Sequence, residues 1–219
     1  MNTFYLIGGT FNDLSLIIDD IKKEKEINSI LFIDQANLSH EKNYLNFLNN
    51  YQNLTKNIKI IKEEDNLLEE TKKADLIYLN GGRTELLYHY LNKNHFKELL
   101  DQINNKIFVG LSAGAIIFFN LGYGDKDVYY DNHSYFGFDF TKGFGYFNYI
   151  FCPHYQKEGI LSFNQDVLKY HAKSFCLTDG ALIKIKNNQY QIIKEKNAQA
   201  FLYQDEKLDA LFPKIIYQL

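Results

Sequence analysis

Across the first half of the chain, short apolar runs alternate with stretches whose apolar residues recur at helical spacing. The runs are Phe4–Ile7, Ile30–Ile33, Ile58–Ile61, Leu76–Leu79 and Ile107–Val109. Most are too short for helices and are bounded by Gly, Asn or Asp, which reads as buried strands. Between them lie helical patterns at Asn12–Lys25, Ser39–Tyr51, Asn66–Lys73, Thr84–Leu91 and His95–Ile103. In the first of these, Leu14, Ile17, Ile18 and Ile21 fall on one face with charges between them. Repeated strand–helix units predict an α/β fold with a mostly parallel central sheet covered on both faces, a three-layer sandwich. Tyr149–Cys152 reads as a further strand and Ile160–Ala172 as a helix. Ala181–Ile185, Gln189–Ile193 and Ala198–Tyr203 read as an antiparallel meander at one sheet edge. Gly122–Gly145, rich in Gly, Asp, Tyr and Phe, has weak periodicity and reads as a long loop, functional or partly disordered.

The 219 residues show no linker, repeat or composition break, so residues 1–219 are expected to form a single domain. A net charge of -3 offers no electrostatic attraction for nucleic acid or an anionic membrane, and neither is expected as a partner. No apolar run approaches the ~20 residues of a membrane span, and the N-terminus lacks a secretory pattern. A cytoplasmic location is therefore expected. Cys152 and Cys176 form neither a CxxC nor a zinc spacing and read as buried thiols, with no metal expected.

The run Lys106–Val109 leads into Gly110-Leu111-Ser112-Ala113-Gly114 and then Ala115-Ile116-Ile117. A buried strand, Gly-x-Ser-x-Gly and an apolar helix are the context of a nucleophile elbow. Gly110 and Gly114 remove Cβ atoms that would collide across a sharp turn. Ser112 would stand at the carboxyl end of the sheet and at a helix N-terminus, with the Ala113 N–H as one oxyanion donor. The competing reading is a chance motif in which Ser112 only caps the helix.

A serine hydroxyl needs a base. His40, His89, His95 and His171 lie in or beside predicted helices, where packing or solvated roles are the simpler reading, and His133 lies in the long segment. His154 follows a strand, and Pro153 stiffens the chain before it. The base in turn needs a carboxylate to fix its tautomer. Asp179, just before Gly180, is favoured on local grounds, while Asp125, Asp127 and Asp131 compete from the long segment. Each of these aspartates also has a simple turn-forming reading.

Three segments together resemble the peptidase E (dipeptidase E, aspartyl dipeptidase) family, related to cyanophycinase and to the class I glutamine amidotransferase fold. Asn80-Gly81-Gly82-Arg83-Thr84-Glu85-Leu86-Leu87 is similar to its glycine loop, and Gly110–Ala115 to its elbow. Pro153-His154-Tyr155 and Leu177-Thr178-Asp179-Gly180 are similar to its histidine and acid segments. The likeness runs from near the N-terminus to roughly residue 205. It implies a metal-free, cofactor-free Ser-His-Asp/Glu peptidase acting on short peptides, in the type case those with N-terminal aspartate, as a monomer or homodimer. Carried over, Ser112 is the nucleophile, His154 the base and Asp179 the acid, where the family more often has Glu. A further Asp important in the family after the elbow matches Asp127 or Asp125. Gly81 and Gly82 would complete the oxyanion hole with Ala113.

Arg83 departs from the family, which often has Asn or Asp there, and it is the only arginine among 24 basic residues. A cation at a helix start opposes the helix dipole, whereas a guanidinium grips a carboxylate bidentately. Arg83 is thus expected to bind a substrate carboxylate, with a surface salt bridge as the competing reading. Two other functions stay open. One is an α/β-hydrolase-type esterase, whose acid precedes its histidine; the other is an amidotransferase-like module that binds without turnover.

Overall fold

Burial on both faces explains why the early strands read as continuous apolar runs. The computed structural model describes residues 1–37, 41–130, 133–155 and 162–219; at 41–42, 125–130 and 133–137 it describes the backbone alone. The chain begins β1 (Thr3–Ile7), α1 (Ser15–Glu24), β2 (Ile30–Ile33), α2 (Glu41–Tyr51), β3 (Ile58–Ile60), α3 (Leu67–Lys73), β4 (Leu76–Leu79), α4 (Thr84–Lys93), α5 (Phe96–Gln102) and β5 (Ile107–Leu111). These five strands pair in parallel in the order β1-β5-β4-β2-β3. Every residue of β1, β2 and β4 is buried.

Alternate residues of each strand feed two cores. Tyr5, Ile7, Phe32, Tyr78 and Val109 pack under Ile17 and Ile21 of α1 and Phe47 and Tyr51 of α2. Phe4, Leu6, Ile77 and Phe108 pack on the other face against Leu67, Leu87, Leu91, Phe96 and Leu99. Each such side chain contributes ~1.5–3 kcal/mol of burial, so the layering follows from the strand–helix alternation itself. The predicted Ser39 start of α2 lies outside the described residues.

The second half is where the structure corrects the sequence reading. It runs α6 (Ala113–Ile116), β6 (Phe119–Tyr130), β7 (His133–Lys142), β8 (Phe147–Cys152), α7 (Phe163–Asp166), β9 (Ser174–Leu177), β10 (Ala181–Lys186), β11 (Gln189–Lys194), β12 (Ala200–Gln204), β13 (Lys207–Ala210) and β14 (Tyr217–Gln218). The segment expected to be a loop is instead a long antiparallel hairpin of β6 and β7, paired from Leu121↔Lys142 to Tyr130↔His133. Two glycines of the segment mark close approaches. A Cβ on Gly122 would strike the Ile116 side chain, and one on Gly143 would strike the carbonyls of Phe119 and Ile116.

The expected meander divides. β10 and β11 continue the first sheet antiparallel, with β14 at the edge, but β12 pairs with β9 and β13 in a second sheet ordered β13-β12-β9-β8-β6-β7. The expected helix at 160–172 is α7 followed by a single 3-10 turn, Val167–Tyr170, with residues before 162 outside the description. Among the described residues, no helix is long and apolar enough to cross a membrane.

Candidate active site

Adjacent strands β1 and β5 send their following helices to opposite faces: α1 packs in the Tyr5–Val109 core, and Ala115 and Ile116 of α6 pack in the other. A crevice at the carboxyl ends of the strands follows from that divergence. Ser112 stands in it, at the end of β5. Its backbone sits at φ 48° and ψ -106°, a region that non-glycine residues rarely occupy. The turn closes because Gly110 and Gly114 lack side chains: a Cβ on Gly110 would overlap the Gly114 carbonyl, and one on Gly114 the Leu79 carbonyl. The apolar helix read after the elbow is α6, one turn long; beyond it the Phe144 and Phe147 amides bond the carbonyls of Ile117 and Phe118. So short a helix sums few peptide dipoles, and its Ala115 and Ile116 N–H groups donate to the Ser112 carbonyl.

The imidazole of His154 lies beside that hydroxyl, with Nε2 3.0 Å from Ser112 Oγ. On its other side Nδ1 is 2.6 Å from Asp179 Oδ1. With Nδ1–H donating to the carboxylate, Nε2 keeps its lone pair toward the hydroxyl. Both His154 and Asp179 are half-buried, so the pair is partly shielded from water. His154 also takes a left-handed backbone conformation, φ 52°. The two cysteines lie at paired positions of β8 and β9, two residues before His154 and three before Asp179, and both are buried. Burial, with Cys176 alongside, pushes the Cys152 thiol well above its usual range. It is a packing group.

One segment, at the end of β1, gathers all three. Ile7 O accepts from Ser112 N at 2.9 Å, Gly8 O from His154 N at 2.7 Å, and Thr10 O from Gly180 N at 2.6 Å. Glu195 in turn accepts from the backbone amides of Asn12 and Asp13 at 2.6 Å each. Between these bonds sits Gly9, where a Cβ would overlap Asp179 Oδ1 and the His154 ring. The sequence reading missed Gly9. Its only local signal is a Gly-Gly pair directly after a buried strand. Its backbone is not left-handed, so space alone excludes a side chain. Gly9→Ala is expected to lower kcat/KM by about 10²-fold or more, the cost of roughly 1 Å of misplacement in a catalytic group. Steady-state kinetics beside a melting curve checks this; near wild-type kcat/KM would show that the pair tolerates displacement.

The glycine loop follows β4. A Cβ built on Gly81 would lie 3.5 Å from Ser112 Cβ, so this backbone borders the serine. Among the described residues, the N–H groups of Gly81 and Gly82 meet no backbone acceptor. Gly82 has φ 140°, a conformation that favours glycine. Arg83 precedes α4 with its side chain exposed and makes no side-chain cap bond. Asp125 and Asp127 lie on β6 opposite Phe138 and Phe136; their side chains, like Asp131 as a whole, fall outside the described residues. Beyond Leu111 a cavity of about 460 Å³ opens between α1, α2 and the ends of β1 and β4, and its described lining carries no charged side chain.

A parallel-sheet fold with a serine, histidine and aspartate at its carboxyl rim defines the class of serine hydrolases. The comparison with known families narrows this: residues 5–197 match the model of peptidase family S51, and the chain belongs to that family. It is a serine peptidase of the peptidase E type. Among solved structures it is similar to a peptidase from an acI-B1 Actinobacterium, at 18% identity and TM-score 0.70, covering 100% of this chain and 97% of that one. It is also similar to a protein assigned as a peptidase E from Listeria monocytogenes EGD-e, at 15% identity and TM-score 0.65, covering 90% and 100% respectively. No curated protein matches the chain.

Proposed function

We propose that the protein is an exopeptidase that cleaves short peptides through an acyl-enzyme on Ser112. The observation that carries this reading is the unbroken chain from Ser112 Oγ to His154, 3.0 Å, and from His154 to Asp179, 2.6 Å. Both distances fall within reach of proton transfer and tautomer control.

In this reading His154 Nε2 takes the hydroxyl proton as Oγ attacks the scissile carbonyl carbon. The carbonyl oxygen becomes an oxyanion and receives N–H bonds from Ala113 and from Gly81 or Gly82. The imidazolium, held by Asp179, gives its proton to the departing amine as the C–N bond breaks. Water then repeats the sequence on the ester, with His154 again as base, and releases the acid and Ser112. Asp179 has the orienting role; Asp127, on β6, would act outside this relay.

The chain order Ser112, His154, Asp179 argues against the esterase reading, in which the acid precedes the histidine. The hydrogen-bonded trio argues against a module without turnover. A panel of dipeptides and p-nitrophenyl esters tests the proposal. Dipeptide hydrolysis well above ester hydrolysis is expected, and ester turnover without peptide turnover would overturn it.

The preference for an acidic residue rests on Arg83. The cavity beyond Leu111 offers no charge to a carboxylate, whereas Arg83 stands exposed beside Gly82. Arg83→Lys keeps the charge and loses the planar fork. It is expected to raise KM for acidic dipeptides about tenfold, the effect of losing one charge-assisted hydrogen bond, and to leave neutral dipeptides within about twofold. Equal KM and kcat for acidic dipeptides in the two proteins would remove Arg83 from substrate binding.

A further inference from the structure

A carboxylate that the peptidase chemistry does not use lies behind the glycine loop. Asp34 follows β2 and is 2% exposed. Its Oδ1 accepts from the side-chain amide of Asn37 at 2.6 Å and from that of Asn80 at 2.7 Å. Asn43 approaches the same carboxylate at 3.4 Å. A buried carboxylate is costly unless donors surround it, so this group fixes the amides that face it.

Asn37 is the link. Its Nδ2 carries two hydrogens; one goes to Asp34, and the other to the carbonyl of Gly81 at 2.7 Å. Turned over, the Asn37 amide would set its own oxygen against both acceptors, so Asp34 dictates which way the amide points. Further bonds fix the surroundings: Asn80 N donates to Ile33 O at 2.9 Å and Arg83 N to Ala36 O at 2.9 Å. A Cβ at Gly82 would meet Ala36 O at 2.6 Å and Asn37 Oδ1 at 2.7 Å, so the loop lies directly on the 36–37 backbone and side chain.

The consequence comes from peptide geometry. The Gly81 carbonyl and the Gly82 N–H belong to one planar trans unit and point in opposite directions. Holding the carbonyl toward Asn37 turns the Gly82 N–H away from Asn37. Gly81 meets both groups: its carbonyl accepts from Asn37, and a Cβ built on it would lie 3.5 Å from Ser112 Cβ.

We propose that Asp34 and Asn37 are positioning residues that lock the Gly81–Gly82 peptide with its N–H presented to the oxyanion at Ser112. The inference rests on the reading of Ser112 as nucleophile. Without the lock the peptide is free to rotate, and a rotated unit would offer a carbonyl where charge develops.

The test compares wild type, Asn37→Ala and Asp34→Asn by dipeptide kinetics and by the rate of fluorophosphonate labelling, whose phosphonylation also builds charge on an oxygen in the hole. Asn37→Ala is expected to lower kcat and the labelling rate together, by about 10- to 100-fold. That is below the ~10²–10³-fold cost of deleting an oxyanion donor outright. KM stays within about twofold, and the pH midpoint of kcat/KM does not move, since the His154–Asp179 pair is untouched. Asp34→Asn keeps the volume and one acceptor oxygen, removes the charge that holds both amides, and gives an intermediate loss; it carries the test alone if Asn37→Ala does not fold. Variants labelled as fast as wild type overturn the lock and leave Ser112 as nucleophile. A fall in labelling matched by an equal rise in KM and a shifted pH midpoint overturns it in favour of general loosening. Wild-type protein that takes no label at Ser112 overturns the nucleophile and this inference with it.

Discussion

Replacing Ser112 with alanine is expected to lower kcat by about 10⁶-fold, the scale on which loss of the nucleophile removes acyl-enzyme chemistry. The fold gives the substitution nothing else to disturb. Ser112 N stays bonded to Ile7 O, and the close approaches of Gly110 and Gly114 are unchanged. Alanine also relieves nothing at φ 48°, so stability should move little. The informative comparison is the double variant. The proposed relay makes Ser112 and His154, 3.0 Å apart, one unit, so His154→Ala alone should cost about as much as Ser112→Ala, and the pair no more than either. Additive losses would mean that the two groups act in separate steps. A Ser112→Ala enzyme that still hydrolyses dipeptides at a wild-type rate would place the chemistry elsewhere in the crevice.

The parts of this site that the sequence displayed are those whose physics is local. An elbow needs a strand, two glycines and a turn within a few residues, and Ile107–Gly114 holds them all. His154 was visible because Pro153 and a strand precede it, and Asp179 because a glycine turn follows. Gly9 was not visible, since what excludes its side chain comes from residues about 145 and 170 positions away, and no local pattern records that. The Asp34–Asn37 link failed to show for the same reason: its target, Gly81, lies 44 residues on.

The fold divides along the same line. Parallel strands separated by helices announce themselves by period, and the three layers follow. Strand partners do not. β12 reads as a third meander strand because nothing in Ala200–Gln204 tells whether β11 or β9 is its neighbour; in the structure Ala200 to Tyr203 pair with Leu177 to Ser174 of β9. The β6–β7 hairpin was hidden because its glycines look like loop punctuation. In the structure Gly122 is a strand position where the Ile116 side chain comes too close for a Cβ, and Gly143, just past β7, lies against the Phe119 and Ile116 carbonyls.

Asp179→Asn is expected to cost about 10⁴-fold in kcat while leaving the fold and KM nearly unchanged, and the reason is the direction of one hydrogen bond. Asp179 Oδ1 accepts at 2.6 Å from His154 Nδ1, which leaves Nε2 unprotonated toward Ser112. An asparagine there can turn its amide NH₂ to Nδ1, and the ring proton then moves to Nε2. That nitrogen becomes a donor facing the hydroxyl whose proton it should take. The geometry survives and the base is lost. Asp127→Asn makes the discriminating control, because Asp127 lies on β6 and pairs through its backbone with Phe136 rather than with the His154 strand. Measured side by side, a large loss for Asp179→Asn and a small one for Asp127→Asn supports Asp179 as the orienting acid. The reverse ranking would transfer that role to β6 and reduce the 2.6 Å contact to a structural bond.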